Sequence, residues 1–227
     1  MGSTRLPDKS LMKVCGENTL IEMVLKRVSR AEKASEVVLA TSAEANSDPL
    51  QKIAENTGCK VVRGDEKDVL SRFVKACEMY KPENLVRVCA DNPFISPAEI
   101  DKLIDFFVSG DYDYAANKFP ECGLPDGFGA EIIRADVLKK IPELSRDPSD
   151  REHVTKYVLD NPRKYKIAYL KADRDLFFPE IRLDIDTKDD LKKIRKICSY
   201  FVPENAPYWS CREIIEAYWK YKKTESE

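Results

Sequence analysis

The stretch Leu85-Val86-Arg87-Val88-Cys89-Ala90, followed by Asp91-Asn92-Pro93, has the pattern of a buried β-strand that ends in a turn. The alternate apolar residues indicate burial, and the proline stops the strand because it cannot donate a backbone hydrogen bond to a ladder. In sheets of parallel strands, ligands collect at the carboxyl ends of the strands. Asp91 lies at such an end and is therefore a candidate site residue.

Strands and helices alternate along the rest of the chain. Short apolar runs predict strands over residues 37–41, 60–63, 85–90, 111–117 and 166–171. Helical periodicity predicts helices over residues 20–28, 48–56, 68–80, 97–108, 191–200 and 211–221. Alternation at this spacing indicates an α/β fold, with a parallel sheet covered by helices on both faces.

The length and composition favour one domain over residues 1–227, with at most a small subdomain built into it. The 38 lysines and arginines nearly balance the 40 aspartates and glutamates, so the charge gives no reason to expect a nucleic-acid partner. No apolar run approaches the roughly 20 residues of a membrane span, and no signal-peptide pattern opens the sequence. We therefore expect a cytoplasmic protein without a membrane partner.

The seven cysteines stand singly in the sequence, without a Cys-x-x-Cys pair. Several of them lie in apolar strand or helix contexts, which favours buried, reduced thiols. We therefore expect neither a zinc site nor a disulfide.

The first nine residues contain groups that suit a polyphosphate. Gly2 allows backbone amides to approach an anion, Ser3 and Thr4 add hydroxyl donors, and Arg5 and Lys9 add positive charge. Amides and cations together share the charge of a nucleotide tail in a phosphate cradle. The same composition also suits a polar chain terminus that binds nothing. Both interpretations are open at this point.

Three aspartates stand where metal ligands are expected. Asp91 ends a strand, and Asp184 and Asp186 point the same way if residues 182–187 form a strand. Burying like charges together is costly without a cation, which favours a metal. Local structure offers an alternative, because Asp91 suits an Asx turn and Asp186 suits the cap of the helix that follows.

Two further stretches indicate a substrate pocket. Residues 123–129 contain Pro-Asp-Gly and follow a strand that ends at Asn117, so they form either a loop over the site or a simple turn. The run Arg151-Glu152-His153-Val154-Thr155 opens a helix and holds the one histidine of the sequence. A single histidine in a charged helix is more often structural than catalytic. We therefore expect substrate binding or a subunit contact here, and no proton transfer.

Four motifs together resemble the cytidylyltransferases that activate acidic sugars as CMP-sugars. They are G-S-T-R-L-P-x-K over 2–9, A-D-x-P-φ-I over 90–95, R-E-H-V-T over 151–155 and D-T-x-x-D-L over 186–191. The similarity is strongest to the spore-coat polysaccharide biosynthesis branch, with the CMP-Kdo and CMP-sialate synthetases as relatives. It implies a Rossmann-like (GT-A-like), mostly parallel sheet with helices on both faces. It also implies a homodimer, formed through a small α/β subdomain within about 112–180 that includes the sugar-site loop.

The resemblance also implies an activity and the residues that carry it. CMP would pass from CTP to an acidic sugar, with Mg²⁺ as cofactor and pyrophosphate as the second product. The implied catalytic residues are Arg5, Lys9 and Asp91. Nucleotide binding would involve Gly2, Ser3, Thr4, Arg5, Lys9, Ser10, Arg63 and Arg72. Substrate binding would involve Asn117, Glu131, Arg151, Glu152 and His153, and the Mg²⁺ ligands would be Asp91, Asp186 and Asp184.

One departure from the family pattern concerns the first strand. In the family, the N-terminal loop follows a buried strand that ends in Ala-Arg, whereas this sequence begins inside the loop. The sequence is then either truncated or mis-started, or the protein lacks that strand and one triphosphate-binding arginine. The second explanation would fit a nucleotide-binding pseudo-enzyme. A GT-A-type glycosyltransferase is a third interpretation, although the N-terminal loop has no role in one.

Overall fold

The computed structural model describes residue 6 and residues 8–201 and 206–225. The strands are β1 (Lys13–Cys15), β2 (Asn18–Thr19), β3 (Val38–Ser42), β4 (Lys60–Gly64), β5 (Asn84–Arg87), β6 (Tyr114–Ala116), β7 (Glu131–Arg134) and β8 (Ile167–Tyr169). The helices are α1 (Leu20–Val28), α2 (Asp48–Asn56), α3 (Val69–Tyr80), α4 (Pro97–Val108), α5 (Ala135–Leu144), α6 (Pro148–Glu152), α7 (Lys156–Leu159), α8 (Lys188–Cys198) and α9 (Cys211–Glu225). None of these described helices combines the length and apolar character that crossing a membrane requires.

The strands form a mixed α/β arrangement, which confirms the predicted fold class. β3 and β4 pair in parallel, and a second sheet has the order β5-β7-β6-β8. β7 runs antiparallel to both β5 and β6, while β6 and β8 are parallel. The expectation of a mostly parallel sheet thus needs refinement, because one reversed strand lies inside it. β8 pairs with β6 in this sheet, although the sequence assigned it to an appended subdomain.

A cavity of about 690 Å³ lies between the two sheets, where the order of strands is interrupted. Its walls are mainly apolar and include Val38 and Leu39 of β3, Leu85 and Val86 of β5, and side chains of the covering helices. In the described part of the chain, no ladder of hydrogen bonds joins β3 to β5.

Side-chain caps explain why α1 starts at the predicted residue and why α8 starts at Lys188, three residues before its predicted start. Thr19 caps α1 in a reciprocal capping box with Glu22, and Thr187 caps α8 in the same way with Asp190. At the end of α2, Gly58 takes a left-handed φ of 76°, which a residue with a side chain rarely adopts. These local signals can be read directly from the sequence.

The expectation of seven reduced cysteines is wrong for two of them. Cys15 of β1 and Cys198 of α8 form a disulfide, with their Cα atoms 5.5 Å apart and a sequence separation of 183. Both residues are buried, and the bond fastens the β1–β2 hairpin to α8. Spacing along the chain carries no information about such a distant pair. The remaining cysteines are free: Cys59, Cys77, Cys89, Cys122 and Cys211.

Arg27 connects α1 to two other parts of the fold. Its side chain is 2% exposed and donates to the carbonyls of Ile95 at 2.7 Å, Trp209 at 3.1 Å and Pro207. Burial lowers the pKa of the guanidinium to about 10, so it stays charged at neutral pH. One buried cation therefore holds the C-terminal segment against the turn that follows Asp91.

Replacing this cation should destabilise the fold. In Arg27→Met, three buried carbonyls lose their donor, and we expect the free energy of unfolding to fall by about 2–4 kcal/mol. Urea titration followed by circular dichroism measures the change. The control is Arg30→Met, because Arg30 is exposed and lies over the Tyr208 ring, 4.2 Å from its centroid. Equal losses in the two variants would contradict the role given to Arg27.

Candidate active site

An extended segment, residues 181–185, assembles the candidate site from distant parts of the chain. The amide of Asp126 donates to Ile181 O, and the amide of Leu183 donates to Asp126 O, both at 2.9 Å. The amide of Ile185 then donates to Asp91 O at 2.9 Å. All three apolar residues of the segment are fully buried. The segment therefore lies between the loop of Asp126 and the turn of Asp91 and fixes both.

Lys9 lies at the centre of the site. Its ammonium donates to Asp91 Oδ2 at 3.2 Å, to Asp186 Oδ1 at 3.1 Å and to the carbonyl of Ile185 at 2.7 Å. These three bonds use all the donors of an ammonium group. The side chain is 14% exposed, so the two ion pairs are largely shielded from water. Lys9, Asp91 and Asp186, which the sequence predicted to converge, do lie together.

The capping roles proposed as alternatives for the two aspartates belong to their neighbours. Ser96 caps α4, since its hydroxyl accepts from the amide of Glu99 at 3.3 Å. Thr187 caps α8. Asp91 and Asp186 cap neither helix and direct a carboxylate oxygen at Lys9 instead.

Asp184 lies apart from the ion pairs that Lys9 forms with Asp91 and Asp186. In addition, residues 182–187 do not form a strand, which corrects the expectation from the sequence. Only Arg182 takes part in a β-bridge, with Asp126. One oxygen of Asp184 accepts from Arg182 at 2.9 Å, and the other is buried without a partner in the described structure. Burial raises the pKa of Asp126, with further contributions from the charges of Asp184 and Asp91. The region is thus rich in negative charge.

The carboxylates of Asp91 and Asp186 fit a magnesium ion that is shared with a substrate. Both already lie around one cation, the ammonium of Lys9. Mg²⁺ is commonly held by one or two carboxylates together with substrate phosphates. Within residues 8–201 and 206–225, no three His, Cys, Asp or Glu side chains are grouped to hold a metal alone. The two aspartates are suited to hold the ion once a phosphate supplies further oxygens.

The residues predicted for nucleotide binding fall into three groups. Gly2, Ser3, Thr4 and Arg5 lie outside the described residues. Ser10 follows Lys9 in a 3-10 helix over Lys9–Leu11. Arg63 and Arg72 make no contact with the Lys9 cluster within the described structure.

Arg63 makes polar contacts near the ends of β3 and β4, and Arg72 packs against the end of β4. Arg63 donates to the carbonyls of Ser42 at 3.0 Å and Glu44 at 2.8 Å and pairs with Asp48 at 2.7 Å. It therefore secures the loop between β3 and α2. Arg72 packs against Gly64, where an added Cβ would lie 2.9 Å from its Cγ, and burial lowers its pKa. The nucleotide-binding role of both arginines stays a prediction.

Glu131 has four donors and an exposure of only 1%. The hydroxyls of Tyr114 and Thr155 donate to Oε1 at 2.7 Å each. Lys118 at 2.9 Å and Arg87 pair with Oε2. Burial alone would raise the pKa of this carboxyl, but the two cations and two hydroxyls outweigh it and lower the pKa to about 2. Glu131 therefore acts as a buried anchor for the groups around it.

Arg87 and Lys118 were missed by the sequence analysis. A signal existed for Arg87, because an arginine stands in the middle of an apolar strand, where a charged residue needs a buried partner. No comparable signal marks Lys118, which follows Asn117 at the end of β6. Only the structure shows that both meet Glu131.

The motif at 151–155 supports Glu131 through its last two residues. Val154 is fully buried and has a φ of 46°, which is strained for a β-branched residue, and Thr155 follows it with its hydroxyl on Glu131. Arg151 pairs with Asp68 at 3.3 Å. Glu152 and His153 are exposed. The substrate-binding role of Arg151, Glu152 and His153 stays a prediction.

Asn117 and residues 123–129 are built into the fold. The Asn117 amide donates to Glu99 O at 3.0 Å, and its oxygen accepts from the Ala130 amide at 2.8 Å. A Cβ at Gly129 would lie 2.7 Å from Asn117 O, so only glycine permits this approach. Most of the segment is buried, and it does not form an exposed loop over a pocket. Asn117 positions the backbone next to Glu131.

Comparison with known proteins identifies the family. The family model described as cytidylyltransferase matches residues 1–214. The chain belongs to the cytidylyltransferase family. It is thus a nucleotidyltransferase, and the interpretation as a glycosyltransferase is set aside.

Individual relatives agree with this assignment. This cytidylyltransferase is 34% identical over 222 residues to the spore coat polysaccharide biosynthesis protein SpsF of Bacillus subtilis, which covers 95% of the chain and 89% of SpsF. A cytidylyltransferase structure from Leptospira borgpetersenii matches with a TM-score of 0.86 and 28% identity, over 100% of this chain and 92% of that one. A 3-deoxy-manno-octulosonate cytidylyltransferase of Rickettsia canadensis is 33% identical over 120 residues, half of this chain and 46% of that protein.

Removing Lys9 should destabilise the cytidylyltransferase most when no divalent cation is present. In Lys9→Met the carboxylates of Asp91 and Asp186 lose their shared counter-ion. We expect the free energy of unfolding in EDTA to fall by about 1.5–3 kcal/mol, the range for hydrogen bonds to charged groups. Millimolar Mg²⁺ should then stabilise the variant more than the wild type, because the ion substitutes for the ammonium.

Urea titrations with EDTA and with Mg²⁺ measure both effects. The control is Lys13→Met, because Lys13 is 60% exposed and pairs only with Glu17 in the described structure. A Lys9→Met variant that unfolds like this control under both conditions would show that Lys9 does not hold the two aspartates.

Glu131 should give the cytidylyltransferase a measurable acid sensitivity. Its pKa in the folded state is about 2, below the value of 4.5 for an unperturbed glutamate. The stability that its charge contributes is therefore complete above pH 4.5 and is lost as the pH falls toward 2. Glu131→Gln should be less stable at neutral pH and lose less stability on acidification, by up to about 1.4 kcal/mol per pH unit.

Urea titrations at roughly pH 6, 5, 4 and 3, which span the titration range of carboxyl groups, give these slopes. The control is Glu143→Gln, because Glu143 is exposed on α5. Parallel slopes for wild type, control and Glu131→Gln would mean that Glu131 is not charged and paired in the folded protein.

Proposed function

We propose that the chain transfers CMP from CTP to a hydroxyl of an acidic sugar and releases pyrophosphate, for the synthesis of a surface polysaccharide. The observation that carries the proposal is the ammonium of Lys9 between the carboxylates of Asp91 and Asp186. Family membership supports cytidylyl transfer. The name of one relative, a 3-deoxy-manno-octulosonate cytidylyltransferase, supports the acidic sugar, and the name of another, a spore coat polysaccharide biosynthesis protein, supports the surface polysaccharide.

The proposed reaction forms one oxygen–phosphorus bond at the α-phosphate of CTP and breaks another. The sugar oxygen attacks the α-phosphorus of CTP and gives up its proton to water, and the bond to the β-phosphate oxygen breaks as pyrophosphate leaves. Such transfers depend on positioning and on neutralising negative charge, because the phosphoryl chemistry itself needs little covalent help. The site offers fixed charges of both signs for this task.

Asp91 and Asp186 would hold Mg²⁺ in the loaded enzyme. The ion supplies neutralisation of the triphosphate and a lower pKa for the attacking hydroxyl. Lys9 would then turn its ammonium away from the two carboxylates and donate hydrogen bonds to phosphate oxygens. In this way Lys9 serves the aspartates in the empty site and the nucleotide in the filled one. We further propose, on the resemblance alone, that the enzyme is a cytoplasmic homodimer.

Asp91→Asn tests this function. The substitution keeps the size of the side chain but removes the charge, so we expect pyrophosphate release to fall at least about 100-fold at saturating Mg²⁺, the scale of losing one strong electrostatic contact in the transition state. A coupled pyrophosphate assay with CTP and a panel of sugar acids, including 3-deoxy-manno-octulosonate, measures this. The control is Asp189→Asn, because Asp189 is 88% exposed on α8.

Two results would contradict the proposal. One is near-normal turnover in Asp91→Asn. The other is a wild-type protein that binds CTP by calorimetry but releases no pyrophosphate with any sugar acid, which would support the pseudo-enzyme.

A further inference from the structure

Arg87 and Lys118 share a single counter-ion. Both pair with Oε2 of Glu131. Among the residues that the structure describes, neither cation has a second carboxylate within ion-pair distance. Within ion-pair distance the cluster therefore holds two positive charges against one negative charge, and Asp126 is a further carboxylate on which the charge of Lys118 acts. A surplus charge in a largely buried place is costly, which favours an anionic ligand.

The two cations can be reached from solvent, although Glu131 cannot. The side chain of Arg87 is 16% exposed and that of Lys118 is 24% exposed, against 1% for Glu131. Glu131 uses only one terminal nitrogen of the Arg87 guanidinium. The other nitrogens, together with the Lys118 ammonium, remain as donors for an oxyanion.

The cluster lies beside the Asp91 site. Burial raises the pKa of the Cys89 thiol; the charges of Arg87 and Lys118 act to lower it, and those of Asp91 and Glu131 act to raise it. All of these groups therefore surround one side chain. Arg87 ends β5, and Asp91 follows four residues later, so their Cα atoms are at most about 14 Å apart. A single small molecule can touch both places.

We propose that Arg87 and Lys118 bind the carboxylate of the acceptor sugar, which makes them residues that select acidic sugars over neutral ones. This inference rests on the proposed function and adds the part of the same site that binds the carboxylate of the sugar. The hydroxyl and triphosphate meet near Asp91 and Asp186, while the carboxylate lies on the cation pair. Glu131 positions both cations and is itself held by Tyr114 and Thr155.

The triphosphate of CTP is the other source of oxyanions. One surplus positive charge matches one carboxylate, whereas a triphosphate brings several negative charges and already has Lys9 and the aspartate-bound cation. The two sources give opposite results when CTP binding and sugar binding are measured separately.

The test compares Lys118→Met with Lys164→Met. Lys164 also lies over an aromatic ring, that of Tyr157, as Lys118 lies over Phe119, but it does not pair with Glu131. Lys118→Met leaves Glu131 with Arg87 and both hydroxyl donors, and thermal melting checks that it folds. Lys118→Arg restores the charge. For each protein, calorimetry gives CTP affinity, and pyrophosphate release gives KM and kcat for a sugar acid and for its uncharged carboxamide.

We expect Lys118→Met to raise KM for the acid roughly 10- to 100-fold, the effect of losing one charged hydrogen bond. KM for the carboxamide and the CTP affinity should stay unchanged, and Lys118→Arg should recover most of the loss. Equal losses for acid and carboxamide, weaker CTP binding, or behaviour like that of Lys164→Met would overturn the inference.

The inference and the proposed function can fail separately. If the wild type turns over a sugar acid and Lys118→Met keeps a normal KM, only the inference fails. If the wild type releases no pyrophosphate, the proposed function fails, and calorimetry with 3-deoxy-manno-octulosonate then decides the inference. Binding to the wild type that Lys118→Met weakens would still support the anion site, and the absence of such binding would overturn it.

Discussion

The ammonium of Lys9 is the contact on which the candidate site depends. It joins Asp91 and Asp186, which lie 82 and 177 residues away in sequence, at 3.2 and 3.1 Å. Two carboxylates in a mostly shielded place repel one another, so their proximity requires a cation between them. The protein supplies that cation itself, and a magnesium-bound nucleotide can take its place. The same electrostatic requirement thus accounts for the stability of the site and for its proposed chemistry.

The fold meets this requirement by dividing roles among neighbouring residues. Ser96 and Thr187 cap the helices, so Asp91 and Asp186 are left to face Lys9. Residues 181–185 join the loop of Asp126 to the turn of Asp91 through backbone hydrogen bonds. The carboxylate of Glu131 pairs with the two cations Arg87 and Lys118, just as the ammonium of Lys9 pairs with two aspartates. Each cluster has one buried or shielded ion that positions two side chains of opposite charge.

Local signals in the sequence predicted much of the fold. Capping residues and apolar periodicity gave the bounds of α1, α2 and α4 closely, since these depend on neighbouring residues. The reversed direction of β7 and the Cys15–Cys198 disulfide depend on contacts between distant parts of the chain, which periodicity does not report. In the site, the apolar patterns, the charges and the family resemblance predicted Asp91 and Asp186, although β5 ends at Arg87 and residues 182–187 do not form a strand. Asp184 was grouped with them because a regular strand was assumed, and Lys118 was missed because its partner is 13 residues away.

Crystals grown with Mn²⁺ and a non-hydrolysable CTP analogue, measured at the manganese absorption edge, test the central claim most directly. The account predicts one manganese ion in coordination distance, about 2.1 Å, of carboxylate oxygens of both Asp91 and Asp186. It also predicts that the Lys9 ammonium has moved to a phosphate oxygen. A manganese ion bound only by phosphates, with both aspartates still on Lys9, would contradict it.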